Sequence, residues 1–517
     1  MTARREEPGS LRGGIAWSLM SFLGGKAVTL FATLILARLL SPSEFGVSAA
    51  VLAFIVLFEL ISDLGMKATV IYESESGITT RVHTAFTLNL LVTLALAGVA
   101  VALAPFVAAF FGAEDYETLF MISALDLLFR GLGNIHDALL QREMQFRRRT
   151  IAEVASAIAR AAAMIALAVA GVGATALVVG FIIGGAVWTL TLWVIKPYRP
   201  RLMIDRKALP SIAKYGGWAT VLSVIAAVWG RLDVAIVGNI LGAGALGLYT
   251  IAQRLPELLV GNVSWSLSLA AFPALSRRRD ESGKRLTDTT LNLVRYSALF
   301  ALPVSAFLAV LAPALIVVLF SSRWEDAAPV MAVLAVMFGI ACIVIPLGDA
   351  FKALGRQPTM VAVNCVSLPI AVAAMVVVAS SGLVEVALAR TAVALAQATV
   401  WIVLISRTLG MAISAVLARL RPGCAVAAGV AIGGLAVRLL LPDPSLGPLL
   451  LGSFASCAGG WLALKMLAPT EYGEIQELAH SHALLSTFIP ARWRAESRRR
   501  ALGVEHVVDA TADPLDR

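Results

Sequence analysis

Residues 86–112 read FTLNLLVTLALAGVAVALAPFVAAFFG, a run of 27 residues without a single charged side chain. A helix needs about 20 mostly apolar residues to cross the hydrocarbon core of a membrane, so this run predicts a spanning helix. Three further runs of similar length also lack charge, namely 298–322, 327–348 and 358–384. Their recurrence along the chain predicts an integral membrane protein.

The composition of the whole chain agrees with lipid as its main solvent. Of 517 residues, 59% are hydrophobic and only 15% are charged, whereas about a quarter of the residues of a soluble globular protein are charged. The mean hydropathy is +0.84. The apolar stretch 13–36 is too long for the core of a cleaved signal peptide, so we expect it to remain as the first helix.

Apolar length and turn residues together predict an all-α polytopic membrane protein with about fourteen transmembrane helices and no inserted soluble domain. The predicted connections are short and contain Gly, Ser and Pro, as in Leu40-Ser41-Pro42-Ser43 and Gly242-Ala243-Gly244. The predicted spans are 14–36, 45–65, 83–110, 117–140, 150–170, 174–195, 213–238, 244–274, 287–320, 326–351, 358–380, 384–406, 422–441 and 447–468.

The connections on the two sides of the predicted bundle differ in charge. Lys and Arg are retained on the cytoplasmic side of membranes, and here the alternate connections contain only Arg38 and Arg323. This asymmetry predicts an even number of helices and cytoplasmic amino and carboxyl termini. The basic connections carry Lys67, Arg81, Arg142, Arg147, Arg148, Arg149, Lys196, Arg199, Arg201, Arg206, Lys207, Lys214, Arg277, Arg278, Arg279, Lys284, Arg285, Lys352, Arg356, Arg407, Arg419 and Arg421.

An internal repeat divides the predicted helices. Residues 37–47 (ARLLSPSEFGV) and 238–248 (GNILGAGALGL) share the spacing of their apolar and glycine residues at an offset of 201. Six predicted helices separate equivalent positions, and because six is even, both copies cross the membrane in the same sense, as a parallel repeat. Further matches in the same order are Ala104-Pro105 with Ala312-Pro313 and Asp137-Ala138 with Asp349-Ala350.

This repeat predicts the domain organisation of the chain. Two six-helix lobes around a central cavity are expected at residues 1–200 and 201–410, followed by two additional helices at 411–469 and a polar cytoplasmic tail at 470–517. The tail has a basic core at 492–500, for which binding to anionic membrane lipid and a solvated tail are equal alternatives. Basic connections that face lipid headgroups also explain the pI of 9.6 without a nucleic-acid partner.

The segment ARLLSPSEFG at 37–46, followed by FELISDLG at 58–65, resembles the polysaccharide-transport (PST) family of Wzx-like oligosaccharide flippases. The 238–248 copy and the turn DAFKALG at 349–355 agree with this resemblance to the multidrug/oligosaccharidyl-lipid/polysaccharide (MOP) exporter superfamily. The resemblance implies two helical bundles that open a central cavity alternately to each side. It also implies a lipid-linked oligosaccharide substrate with an undecaprenyl diphosphate headgroup, moved across the bacterial inner membrane for exopolysaccharide, capsule or O-antigen.

Many charged side chains fall inside the predicted spans. Each costs about 2.5–3.5 kcal/mol at a helix centre on insertion scales, so such residues usually face protein or a water-filled cavity. Their number favours a hydrated chamber between the lobes, where a diphosphate headgroup would need several positive donors. The candidate substrate-binding residues are Lys26, Arg130, Arg160, Arg231, Arg254 and Arg295.

Ion pairing is the alternative for part of this set. Asp126 lies four residues before Arg130, and Arg254 lies three residues before a glutamate, spacings at which opposite charges pair on a helix. Lys26 and Arg295 have no opposite charge within a helical turn of their own helices. We therefore expect these two residues to be the principal substrate contacts.

Glu59 and Asp63 lie four residues apart near the end of the second predicted span. Coupling to a proton or sodium gradient is one interpretation, because intramembrane carboxylates often form proton relays. A helix cap, or an ion-pair partner for Lys67, is the other. We expect no catalytic residue, metal or cofactor, because the four cysteines are scattered singly and the five histidines form no ligand set.

Three other functions compete with oligosaccharide transport. A lipid II flippase and a multidrug or ion antiporter share the expected architecture, although a cationic chamber would repel organic cations. A membrane glycosyltransferase, polymerase or ligase would need a long polar loop or a soluble domain to hold its catalytic groups, and none is predicted. A polysaccharide polymerase and the export machinery are candidate protein partners.

Overall fold

A computed structural model describes residues 11–62, 70, 78–205, 209–277 and 283–480. These residues are nearly all helical and include no β-strand. Asp63, Lys67 and the basic core of the tail lie outside the described residues. The first helices are α1 (Leu11–Leu39), α2 (Pro42–Ser62), α3 (Ile78–Phe110), α4 (Glu117–Arg142), α5 (Phe146–Val169) and α6 (Ala174–Ile195).

The second half of the chain begins with a long helix that is interrupted twice. The helix α7 (Leu209–Pro256) contains Gly242 in a non-helical conformation with φ 81° and ψ 178°, and it continues through a π-helical turn at Glu257–Gly261. The remaining helices are α8 (Asn262–Arg277), α9 (Gly283–Val310), α10 (Ala312–Phe320), α11 (Ala327–Ala353), α12 (Gln357–Ala379), α13 (Leu383–Leu409), α14 (Ile413–Leu440), α15 (Leu446–Leu467) and α16 (Pro469–His480).

Within the described ranges, twelve helical segments are long and apolar enough to cross a membrane. One of them, Val228–Ser268, runs through both predicted spans 213–238 and 244–274, which the kink at Gly242 separates. The helix α1 is not among the twelve. The all-α polytopic class is confirmed, whereas the count of fourteen and the domain boundaries stay predictions.

The two lobes meet where α2 crosses the second half of α7. A Cβ atom on Gly46 would lie 1.7 Å from the carbonyl oxygen of Ala243, and one on Gly247 would lie 1.8 Å from the carbonyl oxygen of Pro42. The repeat offset of 201 relates Gly46 to Gly247 and Pro42 to Ala243. Reciprocal contacts of this kind are typical of a two-fold relation, so the repeated segments pack against each other about a pseudo-two-fold axis.

Hydrogen bonds at the same end of the bundle follow the repeat as well. Arg38 Nη2 donates to the carbonyl oxygen of Val318 at 3.2 Å, and Asn239 Nδ2 donates to that of Phe110 at 2.5 Å. Trp324 Nε1 adds a bond of 2.7 Å to a carbonyl oxygen of α1. We call this region, residues 37–47, 110, 238–248 and 318–324, the closed end, because the lobes contact each other directly there.

The last two long helices pack onto the second lobe through small residues. A Cβ on Gly429 of α14 would lie 2.4 Å from the carbonyl oxygen of Gly459 on α15, and one on Gly423 would lie 2.6 Å from that of Ala298 on α9. Small residues let helix backbones approach closely inside membranes. The α14–α15 pair is therefore attached to α9, and the short helix α16 follows it.

Candidate functional site

A cavity of about 520 Å³ lies between the two lobes. Its walls come from α1, α2, α5 and α6 on one side and from α7 and the π-helical turn on the other. The cavity extends from Leu36 and Phe45, next to the closed end, to Phe146 and Thr150 at the start of α5. Its size falls in the range of roughly 300–1,000 Å³ that is typical of small-molecule sites.

The charges that line this cavity are mostly positive. Five basic side chains face two carboxylates, so five minus two leaves a formal charge of +3. A cleft lined mainly by one sign of charge concentrates ligands of the opposite sign. The basic residues are Lys26, Arg149, Arg160, Arg231 and Arg254, and the acidic ones are Glu153 and Glu257.

Four of the six predicted substrate-binding cations line the cavity. Lys26 and Arg160 belong to the first lobe, whereas Arg231 and Arg254 belong to the second. Contact of these four residues with substrate stays a prediction. Arg130 and Arg295 are not among the residues that line the cavity.

The guanidinium group of Arg160 packs against an aromatic ring. Its Cζ atom lies 4.8 Å from the centroid of the Phe181 ring, a cation–π geometry. A Cβ on Gly184 would lie 3.0 Å from Arg160 Cβ, so the absence of a side chain there lets α5 and α6 approach each other. The arginine charge therefore remains available at the cavity wall.

Arg254 and Glu257 flank Pro256, where α7 changes into the π-helical turn. Proline has no backbone N–H, which interrupts the α-helical hydrogen-bond pattern, and single π turns occur frequently at functional sites. Both charged side chains line the cavity. Over the described ranges, no carboxylate oxygen lies within 4.0 Å of a guanidinium nitrogen of Arg160, Arg231 or Arg254.

Arg149 is a cavity residue that the sequence reasoning did not select. It was placed in a basic connection because the span was predicted to begin at 150, whereas α5 begins at Phe146. Arg149 Nε lies 2.6 Å from Asp137 Oδ1, and its Nη2 lies 3.4 Å from Glu153 Oε1. The spacing of Arg149, Glu153 and Arg160 could have identified Arg149, because the three residues lie on one face of a helix that begins one turn before residue 150.

Arg130 forms a triad with two carboxylates beside the cavity. Its Nε lies 2.8 Å from Asp126 Oδ2 on the same helix, and its Nη1 lies 3.6 Å from Glu59 Oε1 on α2. Its Cζ also lies 6.0 Å from the ring centroid of Trp188. The pairing alternative raised by the spacing of Asp126 and Arg130 is therefore the one that the structure contains.

Arg295 contacts the short helix α16 rather than the cavity. The residue is 9% exposed, and its Nη2 lies 2.7 Å from Glu474 Oε2, while Nη1 lies 3.4 Å from Glu471 Oε1. Its Nη2 also bonds to the hydroxyl oxygen of Tyr296 at 2.9 Å. The spacing of charges along one helix does not reveal these partners, because they lie 176 and 179 residues away in the sequence.

Comparison with known proteins agrees with this architecture. A family model described as "Polysaccharide biosynthesis protein" matches residues 35–329, which is more than half of the chain. The chain belongs to this polysaccharide biosynthesis family. The resemblance that the 37–46 and 58–65 segments carried is thereby confirmed. No group of three or more potential metal ligands occurs in the part of the chain that the structure describes.

Relatives at low identity act in the synthesis or transport of several polysaccharides. Succinoglycan biosynthesis transport protein ExoT of Rhizobium meliloti is 24% identical over 63% of this chain and 66% of its own length. Teichuronic acid biosynthesis protein TuaB of Bacillus subtilis is 21% identical over 66% and 71%, and lipopolysaccharide biosynthesis protein WzxC of Escherichia coli is 23% identical over 66% and 70%. The alignments thus span about two thirds of these relatives.

Solved structures share the fold. The lipid II flippase MurJ in an inward closed conformation superimposes with a TM-score of 0.69 at 15% identity, covering 88% of this chain and all of MurJ. A multidrug transporter of the MATE family, in an inward-facing conformation, gives 0.65 at 14% identity over 77% of this chain and 97% of its own. This multi-pass membrane protein therefore has the fold of the MOP superfamily.

Proposed function

We propose that the protein is a flippase for oligosaccharides linked to undecaprenyl diphosphate, which it moves between membrane leaflets by alternating access. The observation that carries this proposal is the cavity between the lobes, with a formal charge of +3 and basic residues from both sides. Membership in the polysaccharide biosynthesis family supports an exopolysaccharide, capsule or O-antigen repeat unit as the glycan. In this account the protein transports its substrate and performs no catalysis.

The diphosphate headgroup would bind between the lobes. Lys26 and Arg160 would contact it from the first lobe, and Arg231 and Arg254 from the second. Arginine suits phosphate oxygens because its planar guanidinium donates two parallel hydrogen bonds, while lysine supplies a compact charge. A headgroup bound from both sides would be released when the lobes move apart, which links binding to the change of access.

The direction of transport follows from the charges of the connections. The basic connections would face the cytoplasm and the closed end would face the periplasm of an inner membrane, with cytoplasmic termini. Because the cavity extends from the closed end toward Phe146 and Arg149, this conformation would load substrate from the cytoplasmic leaflet. Polymerase and export proteins would then receive the glycan on the other side.

Arg130 and Arg295 have other roles in this proposal. The ion pairs of Arg295 with Glu471 and Glu474 support an assignment to the docking of α16. The pairs of Arg130 with Asp126 and Glu59 support a role next to the headgroup rather than in contact with it. The predicted ranking of Lys26 and Arg295 thus changes to one headed by the four cavity cations.

The same charge argument weighs against the competing transporters. A cavity with a formal charge of +3 disfavours organic cations, the substrates expected of a multidrug antiporter. Lipid II also carries a diphosphate, so a lipid II flippase remains the second candidate, supported by the similarity of the fold to that of MurJ. Transport assays with glycans of different composition on one carrier lipid would separate these two candidates.

Translocation in proteoliposomes tests the proposal. Wild-type protein should move a labelled undecaprenyl-diphosphate oligosaccharide between leaflets, and Arg160→Gln should slow it by at least tenfold, since a hydrogen bond to a charged group contributes about 1.5–3 kcal/mol. The matched control is Arg356→Gln, which removes an exposed arginine at the start of α12. Equal rates with and without wild-type protein would contradict the proposed function.

A further inference from the structure

Charged residues lie at separate levels along the cavity. Next to the closed end its walls carry no charge and include Leu36, Met164 and Leu177. A Cβ on Gly173, in the turn after α5, would lie 2.5 Å from Glu44 Oε1, so α5 also ends at the closed end. Four cations follow, each nine to thirteen residues from its helix end or from the kink of α7 at the closed end, about 14–20 Å along a helix axis. These four residues, which we call the cationic layer, are Lys26, Arg160, Arg231 and Arg254.

Both carboxylates of the cavity lie farther from the closed end than the cationic layer. Glu153 lies seven residues before Arg160 on α5, which is about 10 Å along the helix. Glu257 lies three residues after Arg254, in the π-helical turn. Between the two charges of α5, the small residue Ala157 lines the cavity. The charge of the cavity wall therefore changes from positive to negative toward the start of α5.

The start of α5 forms the wall of the cavity farthest from the closed end. Phe146, Arg149, Thr150 and Glu153 line it there, and we call these four residues the mouth. Arg149 Nε lies 2.6 Å from an oxygen of the buried Asp137, and its Nη2 lies 3.4 Å from Glu153 Oε1. One guanidinium thus faces two carboxylates, which leaves the mouth and Asp137 together with a formal charge of −1.

The mouth suits hydroxyl groups better than phosphate. Its excess negative charge repels an anion, whereas a hydroxyl both donates and accepts hydrogen bonds. Over the described ranges, Arg149 Nη1 and Glu153 Oε2 make no hydrogen bond, so one donor and one acceptor lie side by side. The side chains of Arg149 and Glu153 are 33% and 48% exposed. Thr150 adds a hydroxyl oxygen, and the ring of Phe146 adds an apolar surface for the C–H face of a pyranose.

We propose that the mouth binds the sugar that follows the diphosphate, and that Glu153 determines specificity there by disfavouring an acidic sugar. This inference rests on the proposed function. With the diphosphate in the cationic layer, the separation of about 10 Å along α5 places the first sugar, rather than a phosphate, beside Glu153. A carboxylate on that sugar would lie next to a wall with a formal charge of −1, where like charges repel.

Recognition of the substrate is then divided between two levels of the cavity. The cationic layer binds the diphosphate whatever sugar is attached, and the mouth compares sugars. Specificity is a difference between two affinities, and a repulsive contact with the wrong ligand creates it as effectively as an attractive contact with the right one. Loss of Glu153 should therefore change which glycan binds and leave the affinity for the diphosphate itself unchanged.

Calorimetry on the full chain in detergent tests this inference with three diphosphate diesters. All three carry a geranyl group on one side, and the other side carries a methyl, glucosyl or glucuronosyl group, so the diphosphate charge is the same. Wild type should bind the glucosyl diester about fivefold more tightly than the methyl diester, the equivalent of about one net hydrogen bond. It should bind the glucuronosyl diester at least about fivefold more weakly than the glucosyl diester, because of charge repulsion.

Two substitutions in the mouth should change this preference in opposite directions. Glu153→Gln should bind the glucuronosyl diester as tightly as the glucosyl diester, because the mouth and Asp137 together then carry no net charge. Arg149→Gln should enlarge the preference for the glucosyl diester, because the one positive charge is removed. The matched control is Glu114→Gln, which neutralises an exposed glutamate outside the cavity and should retain the wild-type preference.

The outcomes separate the inference from the function on which it rests. A gain in affinity for the glucuronosyl diester cannot result from misfolding, so Glu153→Gln is the decisive variant, and an unchanged preference there would overturn the role of Glu153. Equal binding of the methyl and glucosyl diesters by wild type would overturn the sugar site and leave the headgroup site intact. Wild type that binds none of the three diesters would contradict the headgroup site, and the sugar site with it.

Discussion

Three cavity arginines, Arg160, Arg231 and Arg254, retain their charge for a ligand, because no carboxylate oxygen of the described residues lies within 4.0 Å of their guanidinium nitrogens. Five cations face two carboxylates, and one of these, Glu153, is bound by Arg149. Arg160 is held by the ring of Phe181, which orients the guanidinium without neutralising it. The chemistry expected of the site therefore depends on guanidinium geometry as well as on charge.

Substitution of Arg254 separates these two contributions. Arg254→Gln should weaken pyrophosphate binding by about tenfold or more, since it removes a charge-assisted bond worth about 1.5–3 kcal/mol. Arg254→Lys should recover only part of the loss, because lysine keeps the charge but lacks the planar fork. Calorimetric dissociation constants measure both effects. Equal binding by Arg254→Gln and wild type would place the anion elsewhere.

From the sequence, the candidate cations could be chosen only by their charge within predicted spans. Lys26, Arg160, Arg231 and Arg254 were identified because charge inside an apolar run requires a polar environment, and all four line the cavity. The helix partners of Arg295 could not be found this way. They lie 176 and 179 residues away on α16, and only the packing of α14 and α15 against α9 brings that helix back.

At the scale of elements, the packing of the lobes at the closed end depends on glycine. Gly46 on α2 and Gly247 on α7 each lie where a Cβ would overlap a backbone carbonyl oxygen of the opposite helix. A backbone atom cannot move aside as a flexible side chain can. A side chain at either position would therefore destabilise the closed end.

Alanine substitutions test this contact. Gly46→Ala and Gly247→Ala should each destabilise this conformation by about 1–3 kcal/mol, the usual cost of overpacking, and the two effects should be similar because the positions are equivalent. Gly244→Ala is the control, since a Cβ there has no atom within 4 Å. Thermal unfolding in detergent measures the difference. Equal melting temperatures for all three variants would contradict the packing described.

The attachment of α16 depends on Arg295. Removal of this guanidinium by Arg295→Gln leaves the buried Glu471 without its ion-pair partner, so α16 should detach more readily from α9. Hydrogen exchange of the amides in Pro469–His480 should become faster, while exchange in α5 stays unchanged. Slow exchange of α16 in the variant would show that apolar contacts alone hold it in place.

For the whole molecule, the repeat was the most informative feature of the sequence. The offset of 201 between residues 37–47 and 238–248 relates Gly46 to Gly247 and Pro42 to Ala243, the pairs that cross at the closed end. The offset of 208 between residues 104 and 312 also relates Phe110 to Val318. The carbonyl oxygens of these two residues accept the hydrogen bonds from Asn239 and Arg38 at the closed end. The size of the cavity could not be predicted, because its walls come from five helices and the π-helical turn. The contact of Glu59 with Arg130 could not be predicted either, because it joins two different helices, α2 and α4.

The most direct test of the account compares two lipids in one assay. Proteoliposomes with wild-type protein should translocate an oligosaccharide linked through undecaprenyl diphosphate at least tenfold faster than the same glycan linked to the same polyprenol without phosphate. The simultaneous replacement of Arg160 and Arg254 by glutamine should abolish this preference, because the cavity then loses two of its five positive charges. Equal rates for the two lipids with wild-type protein would contradict recognition of the headgroup by the cavity.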